Sequence, residues 1–439
     1  MKRYRPLAAL AAATLASVGG TRLSAIAIPW LVLTTSGSAV LTGLVGMAEL
    51  LPYVLAKALA GPLIDRIGAR RIAIWGDGMS MLAVALVPLL FWAGLLSIWV
   101  LLPAVALIGI LRGPADAAKQ ALVPRVAALS DVPLERVTGV VGASDRLAGT
   151  LGAAGAGALI ALIGSGPALL VNAATFLLSG LLLGLGLSAY RPAETVQADR
   201  SPSYRRDLVA GWGILRNDPV LVGLVAMIAV TNLFDQAYAM VLLPVWVRSA
   251  GLDVTWVGIF LATFSASAIL GAAIAASVAE RLPRVVIYTI GFFFAGPMPL
   301  AIFAVDAPLP AIVAVLLVSG FAAGFLNPII GAILFERIPA AMVGRVIALV
   351  GALTWVLMPF GGLYAGLLVE GMGIFAALGI TAALYFATVM MPVAIPSFRQ
   401  MNKKRPAPAR SPQIAGAEIG NPAQNRLSID QENQRRITP

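Results

Sequence analysis

Cysteine and histidine are both absent from the 439 residues. The first absence excludes disulfides, thiolate nucleophiles and cysteine-held metals. The second excludes imidazole ligands, histidine-based triads and the one side chain that titrates near neutrality without help. Charge is scarce as well: 12% of residues are Asp, Glu, Lys or Arg, about half the ~25% of an ordinary soluble chain. No Gly-Lys dipeptide occurs, so the G-x-x-x-x-G-K-[ST] loop of an ATP-driven pump is missing. Reaction chemistry would have to use carboxylates, hydroxyls, Lys or Arg, and Lys57 is the only lysine within an apolar run, which argues against a membrane hydrolase. The expectation is a chain that is not an enzyme and that holds no metal and no cofactor.

What the chain has in their place is apolar length. Hydrophobic residues make up 59% of it and fall into twelve runs, at 8–33, 40–62, 72–94, 98–118, 139–163, 166–190, 219–246, 254–279, 285–305, 309–332, 344–369 and 372–396. Each can cross a hydrocarbon layer of about 30 Å as a helix of about 20 residues. Continuous apolar runs lack the alternation of a membrane barrel, so these segments are predicted to be helices. The first run follows Lys2, Arg3 and Arg5 and carries Arg22; it is too long for a secretory signal core and reads as an uncleaved first helix. The turns after runs one, three and five hold no Lys or Arg, whereas the opposite connections hold Arg66, Arg70, Arg71, Lys119, Arg125, Arg136, the stretch Arg191 to Arg216, Arg281, Arg284, Arg337 and Arg345. That asymmetry places both termini in the cytoplasm and the protein in the inner or plasma membrane. It also accounts for the net charge of +11 as topogenic charge facing anionic lipid, with no nucleic-acid partner.

The polar stretch 191–218 divides the runs six and six, giving a first bundle over 1–190, a cytoplasmic loop over 191–218 and a second bundle over 219–396. Residues 397–439, rich in Pro, Asn, Gln and Arg, read as a disordered cytoplasmic tail. The halves echo one another. Asp65-Arg66 returns as Glu280-Arg281, and Arg136, Gly142 and Gly152 return at a constant offset as Arg345, Gly351 and Gly361. A parallel repeat of six helices implies a twofold-like axis along the membrane normal and a cavity between bundles that can rock, exposing a midplane site to each side in turn. The fold class expected is an all-α membrane protein of two pseudo-symmetric six-helix bundles, working as a monomer on a small-molecule substrate.

The turn after the second run reads Gly61-Pro-Leu-Ile-Asp65-Arg66-Ile-Gly68-Ala-Arg70-Arg71. Gly61 is suited to close helix approach, Gly68 to a tight turn, and Asp65 with the arginines to charge-assisted contacts that form in one rocking state and break in the other. This segment resembles the G-x-x-x-D-R-x-G-R-R loop of the major facilitator superfamily. Gly20-Thr-Arg22, Pro29-Trp30, Ala48-Glu49-Leu-Leu-Pro52, Arg112…Pro114, Gln120-Ala-Leu-Val-Pro124 and Asn172…Thr175-Phe resemble its siderophore-exporter and macrolide-efflux branch, over roughly residues 1–396. The resemblance implies proton-coupled export of amphipathic molecules such as drugs or siderophores. Two departures stand out: Thr21 replaces the acid common beside the arginine of helix 1, and the Gly149 to Ala154 segment lacks the proline that its repeat keeps at Pro359. Uptake or facilitated diffusion of a small metabolite is the alternative.

Ionisable groups at bilayer depth are costly, about 2.5–3.5 kcal/mol each on insertion scales, and mark sites by default. At 1.5 Å per residue, Arg22 lies about 16 Å and Glu49 about 14 Å from the outer helix ends, so the two are expected to pair. Glu49 then either loads the coupling proton with Arg22 modulating it, or the pair is structural. Asp145 is a second proton carrier, or forms a gate with Arg112. Lys57 with Asp77 reads as a neutralising pair beside the turn motif. Asp235 binds proton or cargo, or is simply solvated. The turn residues, Asp77, Arg112, Glu280 and Arg281 are the gating candidates. In the family it resembles, helices 1, 4, 7 and 10 face the cavity, which nominates Trp30, Asn232, Tyr238, Phe321, Phe325 and Asn327 as cargo contacts.

Overall fold

Backbone groups inside an apolar stretch of this length find hydrogen-bond partners only within their own segment, and the chain is helical accordingly. The computed structural model describes residues 2–188, 204–278, 283–339, 342–395 and 398, and no strand occurs among them. Twelve helices are long and apolar enough to cross a membrane: α1 (Arg5–Ser36), α2 (Ala39–Ala58), α3 (Ala69–Trp92), α4 (Ile98–Ser130), α5 (Arg136–Ile163), α6 (Ser165–Gly186), α7 (Pro219–Ser249), α8 (Thr255–Ala275), α9 (Arg284–Ala304), α10 (Leu309–Leu334), α11 (Leu349–Met372) and α12 (Ile374–Ala394).

The departures from the expected runs have local causes. The second run stops at Ala58, and a short helix, Ala60–Ile67, carries the turn motif. Gly68 then turns the chain into α3 at φ +95°, a conformation that costs a residue with a Cβ. Spans α9, α10 and α11 are interrupted after Ala295, Gly324 and Trp355. Pro297 opens the second segment of α9, while Pro328 and Pro359 lack the N–H that the carbonyls of Gly324 and Trp355 would accept. In α7 a single turn of π-helix runs from Tyr238 to Leu242, ahead of Pro244.

In the first half α1 packs on α5 and α6, α2 on α4, and α3 on α4 and α6; in the second, α8 packs on α10, α9 on α10 and α12, and α7 on α11 and α12. The halves meet through α2 on α11 and α5 on α8. The side that carries the described chain ends, called here the terminal side, is marked by Arg3, which pairs with Asp131 at 2.6 Å, and by Arg70, which donates to the Gly184 carbonyl at 2.8 Å. The far side carries the α1–α2 turn at Gly37. Phe398, assigned to the tail by sequence, is fully buried, its ring against Gly223 of α7. The remainder of the proposed tail and residues 189–203, which include the first part of the loop, lie outside the described residues.

Candidate functional site

One face of α4 carries Arg112, Asp116 and Lys119, spaced so that a helix stacks them in a row. Their neighbours come from α2, α3 and α6. Arg112 donates to the Glu49 Oε1 at 2.7 Å, lies 3.8 Å from the Asp116 carboxylate, and sits over the Tyr53 ring with 4.7 Å to its centroid. The Tyr53 hydroxyl donates to Asp116 at 3.1 Å. Lys119 donates to Asp77 Oδ1 at 2.7 Å and lies 3.8 Å from Asp116, and the Ser179 hydroxyl donates to the second Asp77 oxygen at 2.6 Å. Lys57 donates to the Tyr53 hydroxyl at 3.3 Å, and its ammonium stands 5.0 Å from the centroid of Trp355 in the other half. Three acids thus face three cations. Glu49, Asp77, Arg112 and Lys119 are buried, and a buried charge is tolerable only when paired and hydrogen-bonded in this way.

This arrangement corrects two expected pairings. Glu49 binds Arg112 and not Arg22; Asp77 binds Lys119 and not Lys57. Depth along the helix was right, but rotation about the helix axis was not, because helix-to-helix packing sets it. Arg22 is turned instead toward α5, where Gly149 and Gly152 leave a slot: a Cβ on Gly149 would lie 3.7 Å from the guanidinium. There Arg22 is solvent-accessible and without a hydrogen bond among the described residues, and so is Asp145, one turn along α5 from Gly149. Asp145 and Arg112 form no ion pair among the described residues. Asp116, at the centre of the network, went unnoticed in the sequence; its i+4 spacing from Arg112 was the available signal.

In the turn motif, Asp65, Arg66 and Arg71 are exposed and make no ion pair among the described residues, while Arg70 caps the end of α6. Nothing lies within 4 Å of a Cβ placed on Gly61, so it permits no close approach here. Glu280 and Arg281 lie outside the described residues. The tight contacts between halves are on the far side. Gly43 rests on the backbone of Gly362, Gly366 on Ala39 and Val40, and Gly157 on Gly258, each so closely that a side chain would collide. Glu370 of α11 accepts from the Ser38 hydroxyl and from the Val40 N–H at 3.1 Å, capping the N-terminus of α2. Arg248 of α7 donates to the Leu33 carbonyl at the C-terminal end of α1. Acid at a helix N-terminus and cation at a C-terminus both oppose the helix dipole, so the second half grips the α1–α2 turn by two complementary ends. Neither residue had been singled out by sequence.

The second bundle has a different centre. A cavity of about 410 Å³ is walled by α7, α8, α9, α10 and α12, and Asn232, Asp235, Tyr238 and Asn327 line it. Asp235 stands halfway along α7, not near a helix end, and its carboxylate accepts from the Tyr385 hydroxyl at 2.9 Å. Asn232 donates to the Thr354 carbonyl at 2.9 Å. Trp30, Phe321 and Phe325 do not line the cavity; Phe321 and Phe325 pack on each other at 5.5 Å. The wall is completed by Phe264, Phe292 and Tyr385. Aromatics spread over separate helices carry no shared sequence signal, since their convergence is a product of packing.

A family model described as Major Facilitator Superfamily matches residues 10–304 and 225–429. The multidrug efflux pump Tap of Mycobacterium tuberculosis is 30% identical over 395 residues, covering 89% of this chain and 93% of that protein. The protein of the same name from Mycolicibacterium fortuitum is 27% identical over 406 residues, covering 90% and 97%. Among solved structures, a nucleoside transporter, NupG, superposes with a TM-score of 0.69 at 15% identity over 90% of this chain and 99% of that one. A POT family transporter in complex with a thioalcohol-conjugated peptide gives 0.71 at 11% identity, over 91% and 97%. At such identities the two structures share the fold alone.

Proposed function

The chain belongs to the Major Facilitator Superfamily, and from that premise we propose that it is a proton-coupled exporter of small amphipathic organic molecules, drugs among them. The observation that carries this reading is the Glu49–Arg112 pair, buried at mid-depth and joined through Tyr53 and Lys57 to Trp355 in the opposite half. A proton on Glu49 removes one charge from a network of three acids and three cations. Arg112 then turns to Asp116, and the change is felt at Lys57, the member of the network that touches the other bundle. Protonation is thereby tied to the relative tilt of the halves. The names of the relatives from Mycobacterium and Mycolicibacterium support drugs as cargo.

In this reading the bundles rock about the far seam. The far side is sealed by the glycine contacts and by Glu370 and Arg248, while Arg22 and Asp145 remain exposed. The terminal side is the cytoplasm, by its arginines, and the membrane is the inner or plasma membrane. Asp65, Arg66 and Arg71 would engage when the terminal side closes. The protein acts as a monomer. Glu49→Gln tests the coupling: in inverted vesicles it should abolish cargo uptake driven by an acid interior while leaving folded, inserted protein. Uptake at the wild-type rate, still sensitive to a protonophore, would reject Glu49 as the proton carrier.

A further inference from the structure

Glu49, Asp77 and Asp116 of the first bundle each have a cation within 3.8 Å. The acid at the centre of the second bundle has none among the described residues. Among the described cations of the second half, Arg248 is committed to the Leu33 carbonyl, Arg284 to Glu336 at 2.6 Å and Arg337 to Asp218 at 2.8 Å, all at helix ends. Asp235 is the one charged residue among those described as lining the cavity, its bonded contact is the neutral Tyr385 hydroxyl, and it is solvent-accessible although it stands mid-helix. A carboxylate at membrane depth calls for a counter-ion. Around it stand the rings of Phe264, Phe292, Tyr238 and Tyr385, whose faces attract a cation. The volume, about 410 Å³, falls within the range of drug-sized ligand sites.

We infer that this cavity, walled by the second bundle alone, binds an aromatic organic monocation whose positive charge pairs with Asp235. The inference rests on the export reading and names its substrate class. It also separates the two tasks in space: the ion-paired network of the first bundle handles the proton, and the unpaired acid of the second handles the cargo. Asn232 and Asn327 at the wall offer amide groups to polar substituents without adding charge, so the site selects for charge and ring area and against no particular substitution pattern.

The test uses two ions of the same shape and opposite charge, tetraphenylphosphonium and tetraphenylborate, titrated by calorimetry into the purified full-length protein in detergent. The wild type should bind the phosphonium at least tenfold more tightly than the borate. Asp235→Asn should weaken the phosphonium about tenfold or more and bring the ratio near one, and Ala323→Phe, which fills the cavity, should weaken it comparably. Equal affinities for the two ions in the wild type, or an undiminished phosphonium preference in Asp235→Asn, would overturn the inference. If neither variant purifies folded, the wild-type comparison decides it alone. No gradient exists in detergent, so the two readings fail separately. Charge-selective binding without gradient-driven export in vesicles would sink the exporter and keep the site; export without charge selectivity would do the reverse.

Discussion

The two bundles share a plan and differ at the centre. In the first, α2 and α4 touch through glycine: a Cβ on Gly113 would sit 2.7 Å from the Tyr53 carbonyl oxygen, and the polar groups so brought together satisfy one another across Glu49, Tyr53, Arg112, Asp116, Lys119 and Asp77. In the second, α8 and α10 also touch through Gly271, Gly320 and Gly324, but aromatic side chains of α7, α8, α9 and α12 line a cavity, and one acid faces it. A repeat therefore preserves what sets topology, namely spans, turn charges and small residues at seams, and leaves the interior free to diverge. Acids each matched by a cation suit a closed network; an acid without one, set in a cavity, suits a site that must admit a guest.

The contrast can be broken most directly by stability. Arg112→Ala leaves Glu49 buried without its cation, and removing one member of a buried pair costs about 3–5 kcal/mol, whereas Asp235→Asn keeps an acceptor for Tyr385 and should cost well under ~1 kcal/mol. Thermal unfolding of the two purified variants measures the difference; similar losses would mean that Asp235 is as structurally committed as Glu49. Next in size is a mechanical test. Because the chain has no native cysteine, Ser38→Cys with Glu370→Cys gives a single pair across the far seam. Oxidation should stop cargo turnover and reduction restore it, and transport that survives complete crosslinking would refute rocking about this seam. The smallest effect is expected from Glu370→Gln, which weakens a charge-assisted cap at the N-terminus of α2 by about 0.5–1 kcal/mol. Labelling of a reporter cysteine inside the seam should rise modestly from the far side, and unchanged labelling would remove Glu370 from the gate.

Much of the scaffold is legible without coordinates. Twelve spans were readable because bilayer thickness converts directly into a number of apolar residues, and depth because a helix rises by a constant step. Arg22 and Glu49 stand at mid-span, as counting residues indicates, whereas Asp235, counted into the outer half of its helix, stands halfway along α7. The partners were read less well. Arg22 was assigned to Glu49 because the two lie at one depth, yet the slot at Gly149 and Gly152 draws Arg22 to α5 while Arg112 takes Glu49. Phe321 and Phe325 were assigned to the cavity by helix number, yet they stack on each other outside it, and Phe292 and Tyr385 from α9 and α12 take part instead.

What the amino-acid sequence determined alone was therefore one-dimensional: which segments span, on which side the charged turns collect, how far along its helix each ionisable group lies, and that the halves repeat. Those properties follow from composition along the chain and from the helix rise. Which group faces which was decided by the tertiary structure, because rotation about a helix axis depends on the shapes of neighbouring helices, above all on where glycine lets them touch and where aromatic rings line a cavity. The paired network and the single acid in its aromatic cavity both arise at that level.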